Sequence, residues 1–176
     1  RITNGSRATP SGSSGDFGGS TSFLAHSSAD HASIVNEAGR TAFGAQTVFR
    51  GDGTAADATI VNLGGRAGDT GGITFFKDQS SAGRAVISNA AGAVGARGST
   101  RFGDLASAAQ AVLTANGASV SGQTGGLLAF TDRSTAAHST LTAEGGGSGG
   151  SGGRIAFQFQ ASGGSSRIVL GAGGDA

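Results

Sequence analysis

The sequence predicts an all-β chain: a single right-handed parallel β-helix (β-solenoid) of about six coils with 26–28 residues per coil. Three observations predict it. Aligned on phenylalanine, the chain has six anchors, Phe23, Phe49, Phe76, Phe102, Phe130 and Phe157, separated by 26, 27, 26, 28 and 27 residues. Eleven positions after each anchor stands an aliphatic residue, Ile34, Ile60, Ile87, Leu113, Leu141 and Ile168, in a chain where such residues are a minority. A fixed column of one residue type at a fixed period is the signature of stacked coils. Within each copy the apolar residues alternate with period two, the strand period, and no stretch sustains the i, i+3, i+4, i+7 pattern of a helix.

Each coil begins with a strand that ends on its anchor. "TSF", "TVF", "TFF" and "TRF" close on Phe23, Phe49, Phe76 and Phe102 and put Thr and Phe on one face. A turn follows, narrowed by small residues six positions on (Ala29, Ala55, Ala82, Ala108, Ala136, Gly163) and nine positions on (Ala32, Ala58, Ala85, Ala111, Ser139, Ser166). The second strand is "ASIVN", "ATIVN" or "AVISN", where the small residue, the aliphatic and Asn36, Asn62 or Asn89 share a face; the later copies carry Ala115, Ala143 and Leu170 in place of Asn. Equivalent strands of successive coils must pair parallel, about 4.8 Å apart. Phe and Ile then line two seams of a narrow interior, and the Asn column can run a ladder of side-chain amide hydrogen bonds. Glycine-rich stretches such as "LGGRAGDTGG" (Leu63 to Gly72) and "EGGGSGGSGG" (Glu144 to Gly153) are the loops that absorb the varying spacing, since loop insertion adds little closure entropy.

The whole of 1–176 reads as one solenoid domain, with a partial coil over 1–20 and full coils from about 21 to 171. "RITN" (Arg1 to Asn4) repeats the aliphatic and Asn columns, "RATPSGSSGDFGGS" (Arg7 to Ser20) is a longer loop, and "IVLGAGGDA" trails off after the sixth coil. No polar cap is visible at either end, which is the pattern of a window on a longer array.

Composition narrows the function classes. With 35 Gly, one Pro and no Cys, Met, Trp or Tyr, the chain would pass for a low-complexity disordered segment, but its large apolar residues are arranged in columns. The net charge is +1 and 11 of the 12 basic residues are Arg. Spread singly along the chain, they read as a solvated surface, so neither nucleic acid nor an anionic membrane is an expected partner. No apolar stretch approaches the roughly 20 residues that cross a bilayer. Absence of Cys excludes disulfides and thiolate metal sites.

The phrases "FKDQSSAGRAVISN" (Phe76 to Asn89) and "FRGDGTAADATIVN" (Phe49 to Asn62) resemble the tandem coils of right-handed parallel β-helix passengers in large secreted bacterial proteins, of the autotransporter and filamentous-haemagglutinin type. The resemblance covers Thr21 to Gly171. It implies a structural or adhesive scaffold that is secreted or displayed on the bacterial cell surface, and no catalytic residue carries over. The absence of catalytic and metal-ligand motifs leads us to expect no enzymatic activity, cofactor or metal, and the cut repeat leads us to expect adjacent coils of the same longer chain or head-to-tail copies as partners, with a surface glycan or host-cell ligand as a further one.

The chief alternative is a carbohydrate-binding or carbohydrate-active β-helix of the polysaccharide lyase or hydrolase type. Asp78, Asp104 and Asp132 form a column two positions after the anchor that could hold Ca²⁺ or act as acid and base. Because they recur with the repeat, they read as turn-forming residues that bond to nearby backbone N–H groups. His26, His31 and His138 have no metal-ligand spacing. The Gly-Asp stretches lack the nine-residue period of Ca²⁺-binding rolls. On the outward face of the aliphatic strand, Val35, Thr59, Val61, Val86, Val112, Thr114, Thr140, Thr142 and Val169 make a flat β-branched strip that could stack on another solenoid, chiefly, or on sugar or an ice lattice. Its Thr residues lack the regular ranks of an ice-binding face, and strand propensity alone also selects Val and Thr.

Overall fold

Period-two alternation resolves into short strands in a computed structural model that describes residues 1–5, 18–39 and 43–173. In chain order these are β1 (Ile2–Asn4), β2 (Ser20–Phe23), β3 (Ser33–Asn36), β4 (Gln46–Phe49), β5 (Thr59–Asn62), β6 (Ile73–Phe76), β7 (Val86–Asn89), β8 (Gly92–Ala93), β9 (Ser99–Phe102), β10 (Val112–Ala115), β11 (Gln123–Thr124), β12 (Leu127–Phe130), β13 (Thr140–Ala143), β14 (Arg154–Phe157) and β15 (Arg167–Leu170). There is no helix among the described residues. The chain is an all-β parallel β-solenoid of about five turns. Most of the long loop expected over Arg7–Ser20 lies outside the described residues; its last residue, Ser20, begins β2.

Two parallel sheets form the walls. The aliphatic sheet runs β1-β3-β5-β7-β10-β13-β15 and the phenylalanine sheet β14-β12-β9-β6-β4-β2. Every pairing is in register, with Ile34 opposite Ile60, Asn62 opposite Asn89, and Phe49 opposite Phe76. The core is what the two columns predict: Ile34, Ile60, Ile87, Leu113 and Leu141, with Phe49, Phe76, Phe102 and Phe130, are fully buried. Phe23, Phe157 and Ile168, in the outermost strands of the described stack, are only partly covered. Successive Phe rings stack with centroids 4.7–4.8 Å apart and planes within 4–12° of parallel. This is the strand spacing itself, so an offset stack of rings follows from the backbone register.

Each passage between the sheets is built on two left-handed residues. Two positions after the anchor, Ala25, Gly51, Asp78, Asp104, Asp132 and Phe159 have φ of 52–60°; seven positions after it, Asp30, Ala56, Gly83, Ala109, Ala137 and Gly164 have φ of 49–61°. Between them a Ser or Thr five positions after the anchor makes a single parallel bridge to the next coil, from Ser28 through Thr54, Ser81, Ser107 and Thr135 to Ser162. Its hydroxyl accepts the N–H of the second left-handed residue, as at Ala56 to Thr54 Oγ1 (3.0 Å) and Gly83 to Ser81 Oγ (3.1 Å). The bond offsets part of the cost, about 1–2 kcal/mol, of holding an L-residue in that region.

Buried Ser139 stands where other coils place buried Ala58, Ala85 and Ala111, and its hydroxyl has no hydrogen-bond partner. Ser139→Ala is therefore expected to raise stability by about 1 kcal/mol, read as a higher denaturant midpoint at unchanged m-value.

The glycine-rich loops close through one bond each: the N–H groups of Ala45, Gly72, Gly98, Gly126 and Gly153 donate to the carbonyls of Glu37, Leu63, Ala90, Asn116 and Glu144 at 2.8–2.9 Å. The closing pairs are 8, 9, 8, 10 and 9 residues apart and the Phe spacings are 26, 27, 26, 28 and 27; the difference is 18 in every coil. All variation in the repeat therefore sits in these loops, as expected. They are nonetheless packed. β8 pairs antiparallel with β11, and Gly65 donates to Ala96 O (2.7 Å) while Ala118 donates to Ser151 O (2.9 Å). A Cβ at Gly72, Gly98, Gly126 or Gly153 would collide with the carbonyl oxygen of Asn36, Asn62, Asn89 or Ala115. Gly98→Ala is expected to cost about 1–3 kcal/mol, whereas Gly163→Ala, with open space around it, is expected to be neutral; urea unfolding of the two variants checks the contrast.

Candidate functional site

The recurring polar side chains face other coils. Asn4 Nδ2 donates to Asn36 Oδ1, Asn36 to Asn62 and Asn62 to Asn89, each at 2.8 Å. Beside this ladder runs a second column, Thr21, Thr47, Thr74 and Thr100, whose hydroxyls donate to Asn4, Asn36, Asn62 and Asn89 Oδ1 at 2.8–2.9 Å. The amides return a bond to the Thr hydroxyl of a neighbouring coil, as from Asn62 Nδ2 to Thr100 Oγ1 (3.1 Å). At the end of the ladder Asn89 Nδ2 turns to the Thr114 carbonyl, 3.1 Å away. In the next coils both partners change together: Ala115 and Ala143 replace Asn, and Leu128 and Ile155 replace Thr. A half-satisfied buried pair costs more than an apolar one, which accounts for the joint switch. The Thr column was legible as Thr sharing a face with Phe, but its partnership with Asn was not anticipated.

The acidic column has a defined task. The N–H of Gly51 donates to Asp78 Oδ2 (3.0 Å), that of Asp78 to Asp104 Oδ2 (3.0 Å) and that of Asp104 to Asp132 Oδ2 (3.1 Å). The carboxylates thus bond to the left-handed turn of the adjoining coil, rather than to their own turn as the sequence suggested. Among the described residues no three His, Asp or Glu side chains converge as a metal-binding group. His26 lies 3.3 Å from Asp52 and His31 lies 3.6 Å from Asp30, at exposed turns; His138 stands on a separate coil, in an open groove with Ala56, Asp57, Arg84 and Gln110. Within it Arg84 grips Asp57 through two bonds of 2.8 and 2.9 Å. The hydrogen bond from Arg84 holds the Asp57 carboxyl below its usual range and Arg84 above its own.

The β-branched strip faces outward, as predicted. Thr59, Val86 and Val112 are exposed, and Val35, Val61, Thr114, Thr140, Thr142 and Val169 are half-covered by their neighbours. Ser33 and Ser88 interrupt its two columns.

On the outer side of the phenylalanine sheet the structure departs from the reading of Arg as singly spread. Arg97, at the end of a glycine loop, and Arg101, on β9, line a cleft of about 320 Å³ with Ile73, Ser99, Val94 and Thr124. Burial, then the nearby charges of Arg154 (β14) and Arg101, hold the Arg97 guanidinium below its usual range. Among the described residues no carboxylate or other hydrogen-bond acceptor takes up any of the three guanidiniums. In an adjoining depression Phe75 lies beneath Lys77 Nζ (5.5 Å) and Arg101 Cζ (6.0 Å), with Asp104 and Asp132 on its rim. Arg97 and Arg154 occupy unrelated positions in the repeat, and this is why the column pattern did not reveal the cluster.

No protein-family model, no curated protein and no solved structure matches the chain. The fold and the geometry above are therefore the ground for its function.

Proposed function

We propose that this chain is a structural or adhesive β-solenoid segment of an exported cell-surface or extracellular protein, and that stiffness and length are its working properties. One observation carries the reading: the recurring Asn, Thr, Ser and Asp side chains are bonded to the stack itself. Asp78, Asp104 and Asp132 each place an oxygen on a backbone N–H of the adjoining coil and recur with the repeat, which favours a structural role for them. The chain is thus proposed to be non-enzymatic. Further coils, of the same polypeptide or of a head-to-tail copy, would cover the edge at β14 and β15, where Ile168 and Leu170 are 46% and 73% exposed. Export is supported by the resemblance of the coils to secreted passengers and by the Cys-free composition.

Antibodies against the segment should label intact cells that produce the full polypeptide, and external protease should remove the label. Labelling only after lysis contradicts export. Polysaccharide cleavage that disappears in Asp104→Asn contradicts the non-enzymatic reading.

A further inference from the structure

We propose that the cleft lined by Arg97 and Arg101, continued by Phe75 on one side and Arg154 on the other, binds an acidic polysaccharide with its carboxylate or sulfate groups on the guanidiniums. The inference goes beyond the scaffold reading and does not depend on it.

Three features of the surface carry it. The first is uncompensated charge: Arg97 and Arg101 line one cleft, Arg154 stands on a strand two places along the same sheet, and among the described residues no carboxylate or other acceptor is on any of them. Like charges that border one cleft without a partner are unfavourable, and an oxyanion held by charge-assisted, bidentate bonds relieves this. The second is shape. The cleft is lined by the glycine-loop residues Val94 and Gly95 and by Ile73 and Ser99 of the sheet together with Arg97 and Arg101, so both guanidiniums border one concave space that an oxyanion can enter. Lys77 and Arg101, both over the ring of half-buried Phe75, carry the cationic surface beyond the cleft. The third is extent: Arg101 and Arg154 stand two strands apart, about 10 Å along the stack, so the positive charge follows a line and suits a chain better than a single ion.

The same surface argues against nucleic acid. Asp104 and Asp132 border the depression beside Arg101, and the protein's net charge is only +1. A polymer with a charge on every unit would meet those carboxylates, while one with charges on alternate sugars can place neutral rings there. Hyaluronan, which carries a carboxylate on alternate sugars, is the probe that fits.

The experiment is titration of the folded chain with hyaluronan oligosaccharides at low salt, with carboxyl-amidated hyaluronan and single-stranded DNA in parallel. Binding is expected to hyaluronan and not to the amidated form, and to weaken as salt screens the pairs. Arg97→Gln with Arg101→Gln should weaken it at least about tenfold, the loss expected for one charged hydrogen bond. Arg66→Gln with Arg167→Gln, of equal charge change, should leave it unaltered. Arg101→Glu alone, on an exposed strand position, should abolish binding with an unchanged melting curve, so that a misfolded double variant does not decide the matter. No binding at low salt, equal binding of the amidated polymer, tighter binding of DNA, or affinity unchanged in Arg101→Glu would overturn the proposal.

Discussion

Asn62→Ala is expected to lower stability by about 3–5 kcal/mol, a loss at the upper end for a single substitution. Asn62 accepts from Asn36 and Thr74 and donates to Asn89 and Thr100. It is fully buried, as are Asn36, Thr74, Asn89 and Thr100. Its removal leaves several buried donors and acceptors without partners, each costing about 1–3 kcal/mol unless a neighbour turns to it, and opens a small cavity. The chain itself suggests the compensating change. Asn89→Ala should be strongly destabilising alone, but Asn89→Ala with Thr100→Leu reproduces the Ala115 and Leu128 pairing of the next coil and should recover part of the loss. Chemical denaturation of the two single variants and the double completes the cycle. A coupling energy near zero would mean that the Asn and Thr columns do not act as one network.

Phe76→Ala should cost about 3–5 kcal/mol. The ring is fully buried and stacks on Phe49 and Phe102, 4.7 Å away on either side. Neighbouring coils cannot close the gap, because their spacing is set by the hydrogen bonds of both sheets. The cost should fall for Phe157→Ala, whose ring is half-covered and stacks on Phe130. Denaturant midpoints of the two variants, compared at equal m-values, measure the gradient along the stack.

Much of the fold was legible because a solenoid writes the same instruction several times. Phe76 alone says little, but six Phe at one spacing with an aliphatic always eleven positions later leave parallel stacking as the reading. The Asn ladder followed by the same logic. Features that vary in residue type while keeping a conformation were harder to see. The second position after the anchor is left-handed in every coil, yet it is filled by Ala25, Gly51, Asp78, Asp104, Asp132 and Phe159, and no single residue type marks it. The Ser and Thr bridge from Ser28 to Ser162 keeps its chemistry in all six copies and was open to the same column reading. The arginine cleft was hidden for a different reason: Arg97 belongs to a loop of variable length, Arg101 and Arg154 to different strand positions, and only the folded stack brings them to one side.

Successive coils lie one strand spacing apart, in register. Because the chain has no Cys, paired cysteines test it directly. Val61 on β5 and Ser88 on β7 are register partners on the outer face, within the Cα separation of roughly 4.4–6.8 Å that a disulfide needs. Val61 and Thr114 share the same column two strands apart, about 10 Å. On mild oxidation, Val61→Cys with Ser88→Cys should form an intramolecular disulfide in high yield, and Val61→Cys with Thr114→Cys should stay reduced. Ready closure of the second pair, or failure of the first in a folded chain, would contradict the stacked register.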